Sequence, residues 1–167
     1  RSSDCSVGLI DSIALVNQTN SALGQKSMIL LQLRGADIDG SNVSCTGPQV
    51  ASVLDVLAIA PELARCIWYA GAIDASGAMS QSHRERALSR VADLAGLIAT
   101  LRSATQLRDG VFVAIEDSIP PILLAEIVTA DGPIGRLVAD AVVEVHVFDT
   151  SSIDIYSTHQ SVLDRVR

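Results

Sequence analysis

The chain is poor in the side chains that recognise flat or anionic partners. Aromatic residues make up only 3% of it: Trp68, Tyr69, Tyr156, Phe112 and Phe148. Few platforms remain on which bases or sugars could stack. Lys26 is the single lysine in a chain whose formal net charge is -7, so a phosphate backbone or an anionic membrane is repelled rather than drawn in. Neither nucleic acid nor a membrane is expected as a partner. The use of arginine in place of lysine reads as a coding bias and suggests a bacterial source.

Cysteine is scarce too. Cys5, Cys45 and Cys66 form an odd set with no CxxC pair, which argues against a disulfide framework and against a tetrahedral zinc site. Free thiols in a reducing cytoplasm are the expectation. No apolar run approaches the roughly 18 residues of a membrane span, and no signal-peptide pattern opens the chain. The chain begins at Arg1 rather than Met, so a segment upstream is expected to be missing. There is no GxxxxGK or GxGxxG phosphate cradle.

What is abundant is aliphatic. Hydrophobic residues reach 49% and mean hydropathy is +0.37. A chain of 167 residues can close one core without staples, so a single domain over 1–167 is expected. Residues 7–23 carry Leu9, Ile13 and Val16 at helical spacing and fit a first helix or a surface strand. Met28 to Leu33 is a continuous apolar run, as in a strand buried on both faces. Thr46, with Pro48 just inside, starts a helix whose apolar face is Val50, Val53, Leu54 and Leu57 and which stops at Pro61. Cys66 to Ala70 reads as a second strand. Ala87, Val91, Leu94, Ile98 and Leu101 predict a long helix from about Arg84 to Arg102. Asp109-Gly110 is a turn signal leading into a third strand, Val111 to Ile115.

Beyond Pro120-Pro121 the pattern changes. Leu123 to Val128 reads as a strand and Asp131-Gly132-Pro133 as a turn. Val143, Val145 and Val147 alternate with Glu144, His146 and Phe148, a half-buried strand turning at Asp149 to Ser152 into Ile153 to Tyr156. The two tight registers place His146 opposite Asp154 or Tyr156. Thr158 caps a last helix. The fold class is therefore α/β (α+β mixed): a single mixed sheet of five or six strands. Its first three strands are expected to be parallel with crossover helices, and its C-terminal strands antiparallel.

Asp37-Ile38-Asp39-Gly40 follows the first strand and resembles the opening motif of haloacid-dehalogenase-type phosphohydrolases. The resemblance implies that Asp37 attacks phosphorus, that Asp39 handles the leaving-group proton, and that Mg²⁺ screens the charge. Asp74, Glu116 and Asp117 stand at other strand ends and would share the crevice of a parallel sheet. Arg34-Gly35-Ala36 departs from the family, since its first Asp comes straight off the strand. The family's lysine has no counterpart after that strand. The plain alternative is a polar turn. His146 is the other catalytic candidate, a base beside a carboxylate. His159 stands near Ser157 and Asp164 without a nucleophile-elbow sequence, and His83 sits in a Ser-rich stretch. Cys45, just before a helix N-terminus, is expected to have a lowered pKa.

Two functions follow. The first is a non-catalytic interaction or accessory domain that binds a protein partner or itself, with no cofactor and no metal. Its candidate interface is the face of the last hairpin carrying Glu144, His146, Phe148, Asp154 and Tyr156, since Val143, Val145, Val147, Ile153 and Ile155 must face the core. Cover of that face by another part of the same chain is the competing arrangement. The alternative function is the Mg²⁺-dependent phosphohydrolase using Asp37 and Asp39.

Overall fold

The computed structural model describes residues 28–76, 87–118, 138 and 140–167. The expected elements at 7–23, Leu123 to Val128 and Asp131 to Pro133, and the residues Cys5 and His83, lie outside the described residues. Strands β1 (Ile29–Leu33), β2 (Cys66–Ala75), β3 (Ser89–Arg90), β4 (Leu107–Glu116), β5 (Ala141–Phe148) and β6 (Ser152–Ser157) form one six-stranded sheet in the order β1-β6-β5-β4-β2-β3. Among the described residues four α-helices accompany it: α1 (Gly35–Ile38), α2 (Gly47–Ala58), α3 (Leu94–Arg102) and α4 (Gln160–Val166). No helix among the described residues is long and apolar enough to cross a membrane.

Every neighbouring pair is antiparallel, which overturns the expected parallel first three strands. β1 and β2 do point the same way, as alternate positions require, but β6, β5 and β4 stand between them. The crossover rule governs parallel strands of one sheet once their pairing is known. Here the pairing itself differs: β4 lies against β2 in antiparallel register, with Ile67 opposite Ile115 and Tyr69 opposite Val113.

Local chemistry explains the elements. Thr46 caps α2 reciprocally: its hydroxyl accepts the Gln49 N–H at 3.3 Å, and Gln49 Oε1 accepts the Thr46 N–H at 3.0 Å. The expected helix from Arg84 is shorter and starts at Asp93, whose carboxylate accepts the Gly96 N–H at 2.9 Å. Ser89 and Arg90 instead pair with Ala70 and Tyr69. Asp109-Gly110 is no turn but part of β4, opposite Phe148 and Val147. A Cβ on Gly110 would lie 3.3 Å from the Phe112 ring, so the glycine there leaves room for a fully buried aromatic.

The principal core joins Leu31, Leu33, Phe112, Val143, Val145, Val147, Ile153 and Ile155 of the sheet to α2, α3 and α4 through Leu54, Leu57, Ile98, Leu101, Val162 and Leu163. Leu33, Val53, Leu57, Ile98, Val113, Val145 and Ile155, all read from the sequence as core, are buried, and Leu30, Ile67, Val91 and Leu94 are half-buried. A second cluster on the other face of the sheet gathers Met28, Val111, Val113, Ile115, Val138, Ala141 and Tyr156. Both faces of the central strands are therefore withdrawn from water.

Candidate functional site

The paired aspartates serve the local backbone. Asp37 Oδ2 accepts the Arg34 N–H at 2.8 Å. Asp39 accepts the Ser41 N–H at 3.0 Å and receives Gln49 Nε2 at 3.0 Å on both carboxylate oxygens. These hydrogen bonds, Gln49 first, hold its pKa below the ordinary carboxylate value. The structure does not bring the other carboxylates to them. Asp74 ends β2, four strand positions from β1, in an ion pair with Arg108 at 3.2 Å. Glu116 sits at the opposite end of the sheet, paired with Cys66 at the start of β2, and Asp117 follows it. Antiparallel order sends neighbouring strand ends to opposite edges, so the crevice that the parallel reading required does not form.

The hairpin register places His146 opposite Asp154, one of the two alternatives read from the sequence, and Glu144 opposite Tyr156. Strand alternation gives Glu144, His146, Phe148, Asp154 and Tyr156 a common face, but they differ in access. Glu144 and His146 are 0% and 2% exposed, Tyr156 is buried, Asp154 is half-buried, and Phe148 alone is well exposed at 37%. His146 Nε2 and Glu144 Oε2 lie 2.9 Å apart, and Glu144 Oε1 accepts the Val138 N–H at 2.9 Å. The His146 ring tilts against Tyr156 with centroids 5.1 Å apart. The other ring nitrogen, Nδ1, is buried and has no hydrogen-bond partner among the described residues. Burial, then the negative charges of Asp154 and Glu144, push the Tyr156 hydroxyl up to about 12. This buried polar cluster ties β5 to β6 and to the chain at Val138.

The surface next to it is more open. A groove of about 520 Å³ lies where β1 ends, walled by Gln32, Arg34, Asn42 to Ser44, Gln106 and Thr150 to Ser152. Sequence reasoning passed over it because its walls come from four separated segments: the end of β1, the 42–44 loop, Gln106 and the turn into β6. Its shape is fixed from behind. Gln49, itself buried, donates to the carbonyl of Val43 at 2.9 Å and to Ser41 Oγ at 3.2 Å besides Asp39. Cys45 adopts a left-handed φ of 59°, its carbonyl accepts the Leu107 N–H at 2.8 Å, and its thiol donates to the Ser152 carbonyl at 3.1 Å. Asp149 and Thr150 have φ of 37° and 57°, the signature of a tight hairpin turn that matches strand twist.

Cys45 is not the activated thiol expected from its position. It is fully buried, and burial raises its pKa to about 11, outweighing any pull from the α2 N-terminus. Cys66, also a free thiol, is raised to about 11 by burial and by Glu116. His159 precedes α4 as its N-cap in place of Thr158 and is exposed; its N–H, not its ring, donates to Ser157 Oγ at 3.0 Å. Comparison with known protein families, curated proteins and solved structures returns no match for this chain.

Proposed function

We propose that this chain is a non-catalytic protein-interaction domain that binds a second copy of itself along the edge of β1. One observation carries the reading. β1 is a five-residue edge strand, Ile-Leu-Leu-Gln-Leu, without charge, proline or bulge, and among the described residues no strand pairs with its outer side. Natural sheets blunt such edges, because open N–H and C=O rows invite another chain. The other end of this sheet is blunted: β3 is two residues long and β2 carries register shifts between Gly71 and Ala75.

The strand is self-complementary. Antiparallel pairing about a two-fold at Leu31 sets Leu31 against Leu31, Ile29 against Leu33 and Leu30 against Gln32. No charge meets a like charge within the strand, and such an isologous contact closes as a dimer. Asp154 and Tyr156 lie on β6, one strand in from the seam, and Glu144, His146 and Phe148 lie on β5, two strands in. Free thiols at Cys45 and Cys66 suit a reducing bacterial cytoplasm as the setting.

Sedimentation decides the matter. We expect a dimer at tens of micromolar that tightens as salt screens the net charge of -7. Leu30→Lys combined with Gln32→Lys should yield a monomer with an unchanged circular dichroism spectrum, and Phe148→Glu, two strands in from the seam, should leave the dimer intact. A wild-type monomer at every salt concentration overturns the proposal. So does a folded double-lysine variant that remains dimeric.

A further inference from the structure

We infer that the groove at the end of β1 is a binding site for a small polar monocarboxylate, held by the guanidinium of Arg34. The inference is independent of self-association. Among the described residues Arg34 is the one charged residue on the groove wall, and the rest of the lining is neutral: amides, hydroxyls and the exposed methyls of Val43. In a chain of net charge -7, a concavity whose wall holds a cation and no anion selects its ligand by sign.

Arg34 is exposed and makes no ion pair among the described residues. Two neighbouring carboxylates are otherwise engaged. Asp37 accepts the Arg34 main-chain N–H, and Asp154 receives Gln32 Nε2 at 2.9 Å and Ser152 Oγ at 3.0 Å. A planar guanidinium left open offers the paired donors that fit a carboxylate. Around it stand further polar groups: the Asn42 amide, the Ser44 hydroxyl, whose oxygen already accepts the Gly35 N–H at 2.9 Å, and Thr150. These suit the hydroxyl groups of a hydroxy acid. The volume lies in the small-molecule range. A lone cation favours a monoanion over a phosphate, because each added charge meets the repulsion of the whole chain.

The walls are also held in place before any ligand arrives. Gln49 clamps the 39–43 loop from its buried position, and the Cys45 contacts with Leu107 and Ser152 fix the loop to β4 and to the turn. Preformed walls lower the ordering cost of binding.

The test is amide NMR of the ¹⁵N-labelled chain titrated with lactate, glycerate and gluconate, with glucose and inorganic phosphate as comparators. At ligand concentrations of about 20 mM, suited to fragment-sized affinities, the carboxylates should move resonances of residues 42–44 and 150–152. Glucose should not. Arg34→Gln should weaken the response at least about tenfold, while Arg34→Lys retains part of it. Because Arg34 is exposed, both variants should melt with the wild type and keep its sedimentation behaviour. No response to any of the three carboxylates overturns the proposal, as does an equal response in Arg34→Gln. Phosphate binding tighter than every carboxylate overturns the choice of a monoanion.

Discussion

Gly47, the first residue of α2, offers a sharp check on the helical layer. A Cβ built there would stand 2.1 Å from the Leu101 carbonyl oxygen and 2.2 Å from that of Ala104. Both obstacles are backbone at the C-terminal end of α3, so no rotamer change can clear them. The two helices would have to separate by about 1 Å, loosening the core in which Val50, Leu54 and Leu101 are buried. Overpacking of this kind costs about 1–3 kcal/mol, and the rigid obstacle points to the upper half of that range. Alanine's helix preference returns at most about 1 kcal/mol, leaving a net loss of about 2 kcal/mol. For a domain of this size, Gly47→Ala should then lower Tm by about 4–8 °C. Gly96→Ala is the matched control. Its Cβ meets only the Asp93 carboxylate, at 2.3 Å, which can rotate away. The lost cap of about 1 kcal/mol and the gained propensity nearly cancel. Both variants are to be melted by circular dichroism and unfolded in urea. A Gly47→Ala protein that melts with or above the wild type would refute the close approach of α2 to α3.

Two further outcomes follow from the buried groups. Glu144→Leu removes the partner of both His146 Nε2 and the Val138 N–H in a fully buried place. Orphaning buried polar partners should cost about 3–5 kcal/mol by urea unfolding, close to loss of fold, and an effect under about 1 kcal/mol would show the cluster to be wet. At alkaline pH, the folded-state pKa values of Cys45 and Cys66 (about 11) and of Tyr156 (about 12) lie above their ordinary values. The folded state holds these protons more tightly, so the contribution is complete below about pH 9 and is lost as pH rises through 11 to 12. Equilibrium unfolding between pH 8 and 12 should show this decline, and native Cys45 should resist alkylation at pH 8 until the chain is unfolded. Rapid labelling of Cys45 without unfolding would contradict its burial.

How far the sequence could be read depended on the range of the interaction. Thr46, Pro48 and Gln49 specify the start of α2 within four residues, and the Val143-Val145-Val147 alternation specifies a face, so both were legible. The partner of β1 was not. Gln32 meets Asp154 across 122 residues, and nothing in either segment names the other. The helix expected from Arg84 failed because Ser89 and Arg90 form a strand too short to have a period, while Ala87 and Val91 fall by spacing on the stripe of α3. Glu144 and His146 looked solvent-facing because a single strand cannot report what lies above it. A signal did exist in β4: Val111, Val113 and Ile115 share their face, and an apolar run on both sides of a central strand marks a sheet covered twice. The groove escaped notice because four segments far apart in the chain build it and none announces it alone.

The place of β6 between β1 and β5 has a consequence for synthesis. As the chain leaves the ribosome, β1 emerges early, yet its only neighbour among the described strands is the last to be made. Until residue 157 is free, the uncharged segment Met28 to Leu33 has no strand to join. Closure of a loop that long is slow compared with hairpin formation between β5 and β6. During that interval the segment is open to chaperones and to β1 segments of neighbouring nascent chains on one message. Slowing elongation between β4 and β6 should therefore increase aggregation more than slowing it after Ser157.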